Sequence, residues 1–299
     1  MHITVSGRLG SGKSTYCKIL AEKYPFEIYS TGTIQRGLAV KFGVSTLEMN
    51  RLMESDTKYD NMIDDEVVRI SRETTDKNII FDSRMAWHFA ENSFRVFVVV
   101  DPGIAAERVF KNPRGAEETY ADADEAKRML LARGKAENER FRQIYGVDNL
   151  DYGNYDFVID SSYAAPEIIC EKIYVAYKNF KDKNAGTDIL ISPKSAYPAA
   201  PVESLGGAET DGYAEDLRNG RELEPIEIYI YGGCFYVADG HRRLLAALRQ
   251  KTDFMRAVIV KRKTENEKSP YADTGEGIKI LRGYEEDAGF TYSGRPDFY

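Results

Sequence analysis

The stretch Gly7-Arg8-Leu9-Gly10-Ser11-Gly12-Lys13-Ser14 comes directly after the strand-like run Ile3-Thr4-Val5-Ser6. It matches G-x-x-x-x-G-K-[ST], the phosphate-binding loop, with a strand before it and a helix, Thr15 to Tyr24, after it. That context constrains the fold strongly, because a phosphate loop between a buried strand and a helix N-terminus belongs to an open α/β sheet. Glycines let the backbone curl so that successive N–H groups point at phosphate oxygens, and the helix dipole favours the anion. The expected nucleotide-binding set is therefore Gly7, Gly10, Ser11, Gly12, Lys13, Ser14 and Thr15. Lys13 reaches the β- and γ-phosphates, and the Ser14 hydroxyl suits Mg²⁺. A nucleoside triphosphate is the implied ligand.

The rest of the first 180 residues agrees with that fold. Ile3–Val5, Glu27–Tyr29, Asn78–Phe81, Phe94–Val100 and Asp156–Ile159 read as short buried strands. Between them lie the helical patterns Thr33–Phe42, Thr46–Ser55, Tyr59–Thr74, Ile104–Phe110, Asp124–Tyr145 and Pro166–Phe180. Short strands separated by helices predict an α/β fold, a parallel sheet with helices on both faces. The polar, patternless segment 181–187 marks a boundary, giving a first domain over 1–182 and a second over 188–262.

In the second domain the pattern changes to α+β. Asp188–Ile191, Ile226–Tyr231, Phe235–Ala238 and Phe254–Val260 read as strands, and Arg242–Lys251 as a helix. Gly232-Gly233 joins the middle two strands as a hairpin. Pro193–Gly212 reads as loop, and residues 263–299 as a polar, partly ordered tail. A net charge of −7 argues against broad DNA binding, and no apolar run is long enough to span a bilayer. The three cysteines, Cys17, Cys170 and Cys234, are too far apart for a metal knuckle and read as reduced thiols, so a cytoplasmic protein is expected.

A P-loop alone does not separate kinases from GTPases, ATPases or motors; its surroundings do. Ser30-Thr31-Gly32-Thr33-Ile34-Gln35-Arg36 places an arginine one turn into a helix, where it can face a second phosphate across the cleft. Phe81-Asp82-Ser83-Arg84 ends a core strand at the ligand-binding edge of the sheet. Asp82 suits either an outer-shell place on Mg²⁺ or a ribose hydroxyl, and Arg84 a second phosphate clamp. A third basic group, beginning at Arg133 and including Arg140 and Arg142, lies on a later helix. Phosphoryl transfer needs positive charge on the equatorial oxygens and little covalent help, which clustered arginines supply. The catalytic candidates are Lys13, Arg36, Arg84 and Asp82.

These motifs, with Asp60-Asn61-Met62-Ile63-Asp64, Tyr145-Gly146-Val147-Asp148 and Tyr155-Asp156-Phe157-Val158-Ile159-Asp160, resemble the cytidylate kinase-like branch of nucleoside monophosphate kinases over about residues 1–178. The resemblance implies ATP and Mg²⁺ as cofactors and a small-molecule acceptor, a nucleotide such as CMP. It implies that Arg36 and Arg84 hold the acceptor's phosphate and that the Asp60 region reads its base or sugar. It also places Arg133 on the acceptor side and makes the segment around Arg108–Arg133 a lid. The sequence departs from the family in having Ser83 before the strand-end arginine, Gly134 and Ala136 after Arg133, and Arg8-Leu9 in the P-loop.

A second constellation is Asp239-Gly240-His241-Arg242-Arg243, a strand end, a turn and a helix start carrying basic side chains. Glu224 precedes Pro225 where a strand begins, so Glu224 and Asp239 are candidates for one cleft, as Mg²⁺ ligand or general base beside His241. This pattern resembles the ParB/sulfiredoxin-like fold over about residues 188–262, in which the equivalent turn holds nucleotide phosphates. No cysteine lies in the turn, and two further helical patterns do not follow it, which argues against sulfinic acid repair and chromosome partitioning. Two other functions stay open: a bifunctional kinase whose second domain phosphorylates a hydroxyl metabolite such as free serine, and a slow nucleotide-dependent regulatory switch.

Overall fold

The computed structural model describes residues 1–44, 49, 58–112, 120–180, 186–262 and 275–292. The chain forms two compact units, the first comprising Met1–Val98, Gly134–Ile159 and Ala165–Thr187, and the second Val99–Arg133, Asp160–Ala164 and Asp188–Tyr299.

In chain order the first unit is built from β1 (His2–Gly7), α1 (Lys13–Lys23), β2 (Phe26–Ser30), α2 (Thr31–Phe42), α3 (Lys58–Glu73), β3 (Asn78–Asp82), α4 (Ala86–Phe89) and β4 (Ser93–Val99). All six residues of β1 are buried, and Ile79, Ile80 and Phe81 of β3 are wholly so. Both faces are buried because helices cover both sides of a parallel sheet, so even the polar His2, Thr4 and Ser6 that alternate with Ile3 and Val5 in β1 lie inside. Strands β2, β3, β1 and β4 are neighbours in that order, and all three pairings are parallel. Ile34 and Leu38 of α2, with Ile63, Val67 and Ile70 of α3, form the core against Ile79 and Phe81. Ser30 caps α2, its hydroxyl accepting the Thr33 N–H at 3.1 Å, as a serine does best at a helix start. The expected helix Thr46–Ser55 lies, apart from Met49, outside the described residues.

Next come α5 (Pro102–Lys111), the long α6 (Ala123–Tyr145), β5 (Phe157–Asp160) and α7 (Pro166–Asn179). Helix α5 opens with Asp101 as its cap, accepting the Gly103 and Ile104 N–H groups, and with Pro102 in its first turn. The strands of the second unit are β6 (Asp188–Ile191), which begins directly after segment 181–187, β7 (Ala196–Tyr197), β8 (Ile226–Tyr231), β9 (Cys234–Asp239) and β10 (Met255–Arg262). Their order is β6-β10-β8-β9-β7, mixing antiparallel β10/β6 and β8/β9 pairs with parallel β10/β8 and β7/β9 pairs. Helices α8 (Ala208–Arg218), α9 (His241–Arg249) and α10 (Gly275–Ala288) complete this unit.

Two elements depart from the sequence reading. Pro193–Gly212 is not loop throughout: it contains β7 and the start of α8. Strand β7 has only two residues, and the first turns of α8 bury just Thr210 and Ala214, so neither carries a periodic apolar signal. Within the region read as a polar, partly ordered tail, whose residues show no clear periodicity, lies the fourteen-residue helix α10. Its buried positions are Gly277, Leu281 and Tyr284, a helical spacing hidden by a glycine and a tyrosine. Among the described residues no helix is long and apolar enough to cross a membrane.

Candidate active site

Parallel pairing brings the ends of β1, β2, β3 and β4 to one edge, with Val5 beside Asp82, Ser30 beside Asp82 and Gly7 beside Val98. Gly7 is dictated by close approach: a Cβ there would lie 2.6 Å from the Val98 carbonyl oxygen. The Arg8 N–H donates to that same carbonyl at 3.0 Å, turning the chain out of the strand. Gly10 and Gly12 follow with φ of 76° and 82°, and Gly12 is the cap of α1. The Thr15 and Tyr16 N–H groups bond to the Gly12 carbonyl at 2.8 and 3.2 Å. The first amides of α1, at Lys13 and Ser14, thus have no carbonyl within their own helix, the arrangement that receives phosphate oxygens.

Lys13 Nζ forms an ion pair with the Asp82 carboxylate. One P-loop cation and the strand-end acid therefore face the same cleft. Arg84, two residues on, donates from Nη1 to the Gly7 carbonyl at 2.6 Å, and its Nε lies 3.1 Å from Glu137 Oε1 on α6. The Ser6 hydroxyl donates to the Arg84 carbonyl at 3.0 Å and fixes that backbone. Of the expected site residues, the structure thus joins Gly7, Lys13, Asp82 and Arg84. Arg36 is exposed on α2, one turn past the strand that pairs with Asp82, and donates to Thr33 Oγ1 at 3.2 Å. Asp60 lies in the first turn of α3, its side chain outside the described residues. Arg133 is exposed on α6, and residues 113–119 of the expected lid lie outside the described residues.

Sequence reasoning missed two partners. Glu137 follows Arg133 by four residues, a spacing that puts both on one helix face, which is the signal that was available. Tyr152 accepts the Arg8 guanidinium at its hydroxyl, 2.7 Å away, and has no motif to announce it.

Residues 2–163 match the cytidylate kinase-like family. The chain belongs to that family. Similar members include the cytidylate kinase of Methanosarcina mazei, 39% identical over 163 residues, covering 54% of this chain and 87% of that protein. The cytidylate kinase of Sulfolobus acidocaldarius is 32% identical over 175 residues, covering 58% of this chain and 92% of that protein. Among solved structures, a shikimate kinase from Bacteroides thetaiotaomicron aligns with 60% of this chain and 98% of its own, at 14% identity and a TM-score of 0.42. As a member of the cytidylate kinase-like family the chain is a nucleotide-binding P-loop kinase, a phosphotransferase.

The family match ends before the second constellation. There, β9 ends at Asp239 and Gly240 turns the chain into α9 with φ of 94°. A Cβ on Gly240 would lie 2.6 Å from Ile226 Cγ2, so both space and backbone conformation demand glycine. Arg243 gathers the expected residues around itself. Its Nη2 donates to Asp239 Oδ2 at 2.9 Å, and Nη1 to the carbonyls of Glu224 and Pro225 at 3.2 and 2.6 Å. Glu224 thus meets the cluster through its backbone, while its side chain is exposed. Arg242 lies 3.6 Å from Glu209 of α8.

His241 Nε2 accepts the Ala199 N–H at 3.0 Å, which requires an unprotonated ring nitrogen. Burial holds its pKa below the ordinary 6.5, against the raising influence of Asp239. His2 and His88 are also held below 6.5, burial again being the main cause. A depressed histidine pKa means the unfolded chain binds more protons, so stability rises with pH through that window. The folded chain is therefore expected to lose stability as pH falls below about 6.5. Thermal melts of wild type and His241→Gln between pH 7.5 and pH 5, about this range, check the share of His241. The substituted chain should show the shallower loss, and identical slopes would contradict the assignment.

Proposed function

We propose that the chain transfers the γ-phosphoryl group of Mg·ATP to a nucleoside monophosphate, with CMP as the acceptor. The observation that carries this reading is the family match over residues 2–163. The Lys13–Asp82 pair and the Arg84–Gly7 contact beside the P-loop support it. In this reading the P-loop amides and Lys13 hold the donor phosphates and draw charge toward the leaving β-phosphate. Ser14 and Asp82 offer hydroxyl and carboxylate oxygens, a donor set suited to Mg²⁺. When bound, Mg²⁺ neutralises charge on the transferring phosphoryl oxygens.

The acceptor phosphate is itself an anion, so it must be brought against the donor's negative charge. Arg84 and Arg36 supply the opposing charge and fix the attacking oxygen's direction. Asp60 and Arg133 are proposed to bind the rest of the acceptor. For residues 188–262 we propose a ParB/sulfiredoxin-like module that binds a second nucleotide or phosphorylated ligand at Asp239–Arg243. The turn at Gly240, leading into a helix with Arg243 beside it, favours that assignment.

A coupled ADP-release assay tests both readings. Purified chain with Mg·ATP should release ADP in the presence of CMP and much less with AMP, GMP or serine. No CMP-dependent release would overturn the first reading. Serine-dependent release that Asp239→Asn abolishes, while CMP-dependent release persists, would favour a bifunctional kinase.

A further inference from the structure

We propose that Glu137 is a positioning residue for the phosphotransfer reaction, acting by locking the guanidinium of Arg84 in the orientation that receives the acceptor's phosphate. The inference rests on the reading of Arg84 as a ligand of that phosphate. A guanidinium is a planar fork with five donors, and its usefulness to a phosphate depends on which donors are already taken. In Arg84, Nη1 donates to the Gly7 carbonyl at 2.6 Å, and on the Nε side the guanidinium is ion-paired with Glu137, whose Oε1 lies 3.1 Å from Nε. Two contacts on different nitrogens fix the plane of the group, which one contact alone would leave free to swing about the side chain. Nη2 donates no hydrogen bond among the described residues, and it is the donor left to face an incoming oxyanion.

The two holding groups come from different parts of the first unit. Gly7 is the first residue of the P-loop, and its place is fixed by β4 through the close approach at Val98. Glu137 stands on α6, whose following turns are tied down by Asn138 and Arg142 bonding to Asp148 at 2.9 and 2.7 Å. Asn138 also accepts the Asn149 N–H at 2.8 Å, so the helix carrying Glu137 is braced by the loop after it. Arg84 and Glu137 are each about a quarter exposed, 25% and 29%, which keeps the pair reachable by a ligand yet less screened than a surface ion pair. A clamp already oriented before the acceptor arrives loses less freedom on binding it.

The test is a double-substitution cycle read by steady-state kinetics of the full chain with CMP and Mg·ATP varied separately. Glu137→Ala is expected to raise KM for CMP by about tenfold and to leave KM for ATP within about twofold. Glu137→Gln, which keeps the acceptor oxygen, should recover most of that loss and also serves if the alanine variant folds poorly. In an Arg84→Ala background, Glu137→Ala should add nothing, because its effect passes through the missing guanidinium. Additive losses would mean that Glu137 touches the acceptor itself and would overturn the positioning role, as would a parallel rise in KM for ATP or no change at all. If Arg84→Ala alone leaves KM for CMP unaltered, the reading of Arg84 fails and takes the inference with it. That outcome is distinct from a failure of Glu137 alone.

Discussion

Replacing Lys13 with alanine is expected to lower CMP-dependent phosphoryl transfer by about a hundred- to a thousandfold while the chain remains folded. The size follows from what is removed. A preorganised cation beside the leaving phosphate stabilises charge that develops only on the way to the transition state, in a cleft where water screens it poorly. The change falls on turnover more than on acceptor affinity, because Lys13 belongs to the donor half of the site. Its effect on stability is bounded by its partner: Lys13 and Asp82 are 15% and 10% exposed, so the carboxylate left behind is mostly but not wholly cut off from water. Lys13→Arg keeps the charge but not the compact ammonium and should recover little activity. Initial rates beside far-UV circular dichroism decide the matter. A folded alanine variant with turnover within about tenfold of wild type would remove Lys13 from the chemistry.

The part of the fold that was legible in the sequence is the part in which local pattern and tertiary role agree. Ile3, Val5 and the glycines after them announce a buried strand running into a phosphate loop, and the strand-end position of Asp82 and Arg84 followed from their place after Ile79-Ile80-Phe81. Helix α10 was opaque because Gly277 and Tyr284 occupy two of its inward positions, and neither counts as an apolar mark in a periodic search. The cause differs at Glu224. An acid before a proline invited a reading of its carboxylate, yet it is the carbonyl that Arg243 takes. Backbone groups carry no sequence signature, so an arginine that binds carbonyls looks the same as one that awaits an anion. Arg84 shows both uses at once, with a backbone carbonyl and a carboxylate holding a group that has one nitrogen to spare.

Asp160 ends the strand motif Tyr155–Asp160, and its hydrogen bonds make it a residue whose loss is expected to cost much stability. Its side chain is fully buried. Oδ1 accepts the Ser162 N–H at 2.9 Å and the Ser162 hydroxyl, and Oδ2 accepts the Ser192 N–H at 3.0 Å. The Ser162 hydroxyl in turn accepts the Asp101 N–H at 2.8 Å, and Asp101 Oδ2 accepts the Tyr197 hydroxyl at 2.9 Å. One carboxylate therefore satisfies donors from two segments of the second unit that are far apart in sequence. Asp160→Ala leaves those donors buried without acceptors, and the unfolding free energy should fall by about 3 kcal/mol or more. Asp160→Asn keeps one acceptor oxygen but turns an NH₂ toward an N–H donor, so it should lie between the two. Burial also lifts the Asp160 carboxyl above its ordinary 3.8. The folded chain then holds this proton to higher pH than the unfolded chain, and ionisation subtracts stability as pH rises. The gap between wild type and Asp160→Asn should accordingly narrow as pH increases from about 4. Urea unfolding at several pH values measures both effects, and a loss below about 1 kcal/mol for Asp160→Ala would mean that the network does not hold the second unit together.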